Sequence, residues 1–143
     1  ASSGYNRRRA ECARACQLLG VPSLRDADAD ALEQLPEPLR RRVLHVISEN
    51  QRVRVAVAAL QADDLPALAS LLNASHESLR DNYDVSTPAV EATRERLLDA
   101  GARGARLIGG GFGGSVLGLL QPGVSPPAGA RTVRPGPGAH LVE

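Results

Sequence analysis

From Leu39 to Ala62 the apolar residues Val43, Val46, Ile47, Val53, Val57 and Leu60 recur at i, i+3, i+4, i+7, while Arg41, Arg42, Glu49, Arg52 and Arg54 fall mainly between them. That period turns one stripe of an α-helix toward a core, so a long amphipathic helix is predicted here. Asp63 and Asp64 break it. Asp64 can cap a second helix with Pro66 in its first turn and a stripe of Leu68, Leu72 and Leu79, ending near Asn82. Thr87 and Pro88 make an N-cap and N1 pair for a third helix, Pro88 to Ala100, with Glu91 in its electropositive first turn and Gly101 and Gly104 closing it. Ahead of these, Asn6 to Leu19 reads as a short helix with Ala10, Ala13, Cys16, Gln17 and Leu18 near one face and arginines opposite, stopped by Gly20 and Pro22. The polar stretch Leu24 to Pro38, punctuated by Pro36 and Pro38, is expected to be a loop holding at most one helical turn.

Beyond Gly104 the period changes. Ala105 to Ile108 and Ser115 to Leu120 are short apolar runs separated by a glycine cluster and bounded by Gln121, Pro122 and Gly123, so two strands are predicted. The stretch Pro122 to Pro137 is rich in proline and glycine; Thr132 and Val133 interrupt it and Ala139 to Val142 follow as a candidate edge strand. Helices followed by strands imply an α+β fold, a layer of helices on one face of a small antiparallel sheet. The expected organisation is one domain over residues 1–121 and a Pro/Gly-rich tail over 122–143.

Composition narrows what such a domain could do. Seventeen basic and sixteen acidic side chains leave a formal charge of +1, too little to hold nucleic acid through counterion release. Tyr5, Tyr83 and Phe112 are the only aromatic residues, which removes the stacking platforms single strands need. No apolar run is long enough to span a bilayer, so no membrane association is expected. Cys12 and Cys16 lie one helical turn apart, where a disulfide would be strained and a zinc ion would find two of its usual four ligands. They read as reduced, half-buried side chains in a cytoplasmic protein. Methionine is absent, position 1 included, which suggests a piece of a longer protein.

Gly109, Gly110, Gly111, Phe112, Gly113 and Gly114 satisfy the letters of the dinucleotide pattern G-x-G-x-x-G, but the context that gives the pattern its chemistry is missing. Six mostly apolar residues separate the cluster from Gln121, too few for a crossover helix, and no acidic residue stands about 20 positions on to hold a ribose. The G-K-[ST] ending of a Walker loop is absent as well. From composition the cluster reads as a wide hairpin turn whose missing β-carbons allow positive φ and close approach of another backbone or a phosphate.

Four segments, SSGYNRRRAEC, LRRRVLHVISENQRV, SHESLRDNYDVSTP and RLIGGGFGGSV, resemble in order and content the carboxyl-terminal part of galactokinases. The last of them is similar to the third conserved motif of the GHMP sugar kinases, and the resemblance runs from about Ser2 to Leu120. It implies a GHMP C-terminal fold and, for the complete enzyme, phosphorylation of α-galactose at its C1 hydroxyl by ATP with Mg2+. Tyr5 matches the tyrosine that contacts the sugar, and Gly109 to Gly114 match the glycine loop bordering the nucleotide site. Within SHESLRDNYDVS the residues read as structural: Ser75, Leu79 and Leu72 share a helix face, and Arg80, Asp81 and Asp84 can tie the helix end to its neighbours by ion pairs. His76 could titrate near neutrality, but the family does not use this position as its base.

The departures shape the expectation further. The sugar-recognition segment, the Gly-Leu-Ser-Ser-Ser phosphate loop and the catalytic aspartate of galactokinases have no counterpart in this sequence, so no catalytic residue and no metal ligand is assigned to it. Its expected partner is the missing amino-terminal kinase half, and the chain alone is expected to be inactive. The alternative within the family is a non-catalytic binding or regulatory module. Ile108 stands where a threonine is usual and Ser115 where a cysteine is usual. The helix that normally precedes the family's last strand has shrunk to QPGVSPPA, which should expose one face of the sheet.

Overall fold

A computed structural model describes residues 2–134 and 136, with Ser2 and Ser3 as backbone only. The candidate edge strand Ala139 to Val142 lies outside the described residues. The elements follow the predicted order: α1 (Ser2–Leu19), α2 (Leu39–Gln61), α3 (Leu65–Asp81), α4 (Pro88–Asp99), then strands β1 (Ala102–Ile108) and β2 (Ser115–Leu120) paired as an antiparallel hairpin. The helix ends have the expected chemistry. Asp64 accepts the Ala67 N–H at 2.9 Å and Thr87 the Val90 N–H at 3.4 Å, while Pro66 and Pro88 occupy first-turn positions where no intrahelical N–H is lost. α1 closes on Gly20, whose φ of +64° suits a residue without a β-carbon, and the Val21 N–H returns to Cys16 O at 3.1 Å.

Three expectations need correction. α1 begins at Ser2 rather than Asn6, so Tyr5 is a helical residue. Its inward face is not Ala10, Ala13, Gln17 and Leu18, which are exposed; Arg8 and Ala15 are buried, with Glu11, Cys12, Cys16 and Leu19 half-buried. The error came from treating arginine as a solvent residue, whereas Arg8 turns inward to carboxylates. The connection from α1 to α2 holds two short 3-10 helices, Leu24–Asp26 and Ala29–Gln34, rather than one turn at most.

Burial is divided among three clusters. Ala15, Leu24, Leu35, Leu39 and Val43 seat α1 and the 3-10 segments on the start of α2. Leu79, Val85, Val90 and Leu107 join the end of α3 to α4 and β1, with Tyr83, Phe112 and Val116 at their edge. Leu97, Ala102 and Ala105 continue that layer along the hairpin. On the sheet, α4 covers the face carrying Ala105, Leu107 and Val116, and the opposite face shows exposed Ile108 and Leu117. Cys12 and Cys16 are free thiols, half-buried.

Candidate functional site

Tyr5 and the glycine loop, far apart in sequence, meet in the fold. The Tyr5 ring lies against Gly110: a β-carbon built at Gly110 would sit 3.4 Å from two ring carbons. One residue earlier, Gly4 receives the Phe112 ring so closely that a β-carbon there would be 2.6 Å from its edge. The N-terminal turn of α1 therefore rests on the hairpin loop through two aromatic–glycine contacts, and Tyr5 keeps 49% of its surface in solvent. A boundary aromatic that stays half-exposed beside a glycine loop is free to present its ring edge and hydroxyl to a ligand.

The loop is held by a segment that sequence reasoning treated as purely structural. Phe112 occupies the left-handed region at φ +59°, unusual for a residue with a side chain, and its N–H donates to Val85 O at 2.7 Å. Gly111, at φ +81°, packs against the Val85 side chain, and any β-carbon would also fall 2.9 Å from Val85 O. A strained conformation of this kind persists when its surroundings over-determine it, as this backbone bond and ring contact do. No sequence signal identified Val85 as the anchor, because the bond is from backbone to backbone.

Behind Val85 lies a charged cluster that fixes α1. Arg42, 2% exposed, donates to Glu11 at 2.8 Å, to Asn82 O at 2.6 Å and to Asp84 at 3.3 Å. Arg8 pairs with Glu11 and donates to both the carbonyl and the carboxylate of Asp84, at 3.1 and 3.2 Å. Two arginines thus balance two carboxylates where three segments converge. Burial alone would raise the Glu11 carboxyl, but the Arg42 hydrogen bond and the charges of Arg42 and Arg8 hold it below the usual carboxylate value. Of the three ion-pairing residues expected in SHESLRDNYDVS, Asp84 ties elements together as foreseen. Asp81 pairs instead with its neighbour Arg80 at 2.8 Å in an exposed contact, and Arg80 also approaches Glu91 at 3.8 Å. The i, i+3 spacing of Arg8 and Glu11 was the available signal for the cluster.

His76 is fully buried, and both ring nitrogens are committed: Nδ1 accepts the Leu107 N–H at 3.0 Å, so the proton lies on Nε2, which donates to Glu91 at 2.9 Å. Burial lowers its pKa against the opposing pull of Glu91. It is a pin between α3, β1 and α4, with no nitrogen left for a substrate. Among the described residues no group of three or more His, Cys, Asp or Glu could hold a metal ion. The glycine loop admits close backbone approach, the property a neighbouring phosphate group requires.

The family model for the GHMP kinases C terminal matches residues 56–134, more than half of the chain. The galactokinase of Roseiflexus sp. (strain RS-1) is 45% identical over 132 residues, covering 85% of this chain and 34% of that protein. The galactokinase of Streptomyces coelicolor is 45% identical over 123 residues, covering 82% and 32% respectively. The crystal structure of Lactococcus lactis galactokinase complexed with galactose superposes with a TM-score of 0.76 at 34% identity, covering 82% of this chain and 33% of that one. The chain spans about a third of the length of the relatives it matches. No helix among the described residues is long and apolar enough to cross a membrane. The chain belongs to the GHMP kinase family and carries that family's C-terminal region in the form found in galactokinases.

Proposed function

We propose that this chain is the carboxyl-terminal wall of a galactokinase active site, working in the cytoplasm with an amino-terminal half that supplies the phosphate loop, the Mg2+ ligands and the catalytic aspartate. The reaction is transfer of the γ-phosphoryl group of ATP to the C1 hydroxyl of α-galactose. Such transfer depends on positioning and on stabilising the phosphoryl oxygens, so a wall that fixes substrate geometry contributes without touching the transferred group. Tyr5 orients the sugar through its hydroxyl and ring edge, and the loop Gly109 to Gly114 lets the triphosphate region approach the backbone.

The observation that carries this reading is the contact of Tyr5 with Gly110. Two features matched separately to sugar and nucleotide surroundings form one surface, as a bisubstrate site requires. The test is galactose-dependent ATP consumption. The chain alone should show none; adding the amino-terminal half of a galactokinase should restore it. In the restored mixture Tyr5→Phe should raise the galactose KM about 2- to 10-fold, the effect of one hydrogen bond, with kcat nearly unchanged. Turnover by the pure chain overturns the division of labour, and an unchanged KM removes Tyr5 from the site.

A further inference from the structure

The contacts that bring Tyr5 to the glycine loop close into a ring. Gly4 and Tyr5 lie against Phe112 and Gly110. The Phe112 N–H donates to Val85 O at 2.7 Å, and Gly111 packs on the buried Val85 side chain. Val85 follows Asp84, whose carbonyl and carboxylate both accept from Arg8, at 3.1 and 3.2 Å. Arg8 stands three residues after Tyr5 on α1, the spacing that puts both near one face of the helix. The circuit therefore runs from α1 through Asp84 and Val85 to the loop and back to α1, and each link is a direct contact or a single step along the chain.

Asp84 is the joint of this ring. Its φ of +56° lies in the left-handed region, which Asp adopts more readily than most residues with side chains. That conformation turns the chain between Tyr83, stacked on His45 of α2, and Val85, whose N–H returns to Leu79 O at 3.1 Å. Arg42 of α2 donates to the same carboxylate oxygen as Arg8, at 3.3 Å. One side chain thus ties α1 and α2 to the residue before the loop's anchor. Both arginines are buried, whereas the Asp84 side chain is 64% exposed. Without it Arg42 keeps Glu11 and Asn82 O, and Arg8 keeps Glu11 and the carbonyl of residue 84, so both cations retain partners. What is lost is the charged part of the tether between α1 and Val85.

We infer that Asp84 is a positioning residue: through Arg8 and Arg42 it registers α1 against the Val85 anchor, and so holds Tyr5 at the glycine loop. It touches neither substrate. The consequence for turnover rests on the galactokinase reading above; the consequence for the geometry does not.

Asp84→Gly and Asp84→Asn test both. Glycine keeps the left-handed turn and removes the carboxylate, whereas asparagine keeps the turn and a neutral acceptor. In the 143-residue chain carrying Asp84→Gly, the Phe112 amide should exchange with deuterium about tenfold faster or more. The nuclear Overhauser contact between the Tyr5 ring and Gly110 should weaken, while the amides of α4 keep their protection. Asp84→Asn should recover most of both signals. In the mixture with an amino-terminal galactokinase half, Asp84→Gly should raise the galactose KM about 2- to 10-fold, and adding Tyr5→Phe should raise it little further, because both changes remove the same contact. A residue that only stabilised the fold would lower the active fraction and leave KM unchanged. Wild-type exchange at Phe112 in Asp84→Gly, or an acceleration shared equally by α4, overturns the inference. So does a galactose KM that rises with Tyr5→Phe but not with Asp84→Gly, and the galactokinase reading then stands without it. A mixture without turnover removes that reading instead, and exchange at Phe112 decides the inference alone.

Discussion

The two halves of α2 carry the same apolar period and meet different fates. In the first half Leu39 and Val43 are buried, Val46 and Ile47 pack beside them, and even Arg42 and His45 lie inside. In the second half Val53, Val57 and Leu60, predicted to continue the same inward stripe, are 63%, 50% and 60% exposed. The period fixes that a helix forms and which side is apolar; it does not supply something for that side to meet. The first half meets α1, the 3-10 segments and the turn after α3. The second half runs beyond them, with Ala59 buried and its carbonyl accepting the N–H of Asp64, the cap of α3, at 2.8 Å. What distinguishes the halves is the set of polar groups drawn inside with the first, and substitutions there should cost far more than substitutions of the apolar residues in the second.

The largest effect expected is from Arg42→Ala. The change leaves Glu11 with Arg8 and Arg7 as its remaining cations, removes one of two guanidinium partners from Asp84, and strips Asn82 O of its donor. A buried charge orphaned outright costs ~3–5 kcal/mol, but Arg8 and Arg7 stay beside Glu11 and Asp84 is largely exposed, so the loss should be about 3 kcal/mol, from the missing charged hydrogen bonds and the orphaned Asn82 carbonyl. Urea denaturation should show the midpoint falling accordingly. A loss under about 1 kcal/mol would rank Arg42 with exposed ion pairs and erase the contrast between the halves.

His45, one turn further along, gives a pH signature. Its ring stacks on Tyr83 at a centroid distance of 4.4 Å and its Nδ1 shares a hydrogen bond with Ser78 at 2.9 Å. Burial pushes its pKa down to about 4, with Glu49 opposing and Arg52, Arg106 and Arg42 adding to the fall. A folded-state value below the unfolded one means the unfolded chain binds more protons between them. The contribution is therefore complete above about pH 6.5 and is lost as pH falls toward 4, up to roughly 3 kcal/mol in all. Stability measured across that window should decline, and His45→Gln should flatten the decline. His76 and the lowered carboxylates Glu11, Glu49 and Glu91 act in the same direction, so the difference between wild type and variant isolates His45. Equal slopes for the two proteins would show that His45 is not held neutral.

The fold was more legible in the sequence than the interior chemistry of the site. Asp64, Thr87, Pro66 and Pro88 mark helix starts by local hydrogen bonding, and the switch from helical spacing to short apolar runs marks the hairpin. These signals act over a few residues, so the sequence displays them directly. The adjacency of Tyr5 to Gly110 was implied only through resemblance, because no local pattern links residues on α1 and on a hairpin near the other end. Arg8 and Arg42 were hidden for a related reason. An arginine is read as exposed until its carboxylates are found, and Asp84 is distant from both in sequence. Val85 left no trace at all, since its role is played by a carbonyl that every residue possesses.

The smallest effect belongs to the other half of α2. Val53→Ser and Val57→Ser replace side chains that are half or more in solvent, so little apolar surface returns to water on unfolding, and helix propensity changes only slightly. Each substitution should move stability by no more than about 0.5 kcal/mol, a shift visible only as a slight displacement of the urea midpoint. A loss of 2 kcal/mol or more would mean that the stripe is covered in solution. The period would then have located a buried face after all, and the two halves of α2 would differ in what covers them rather than in whether anything does.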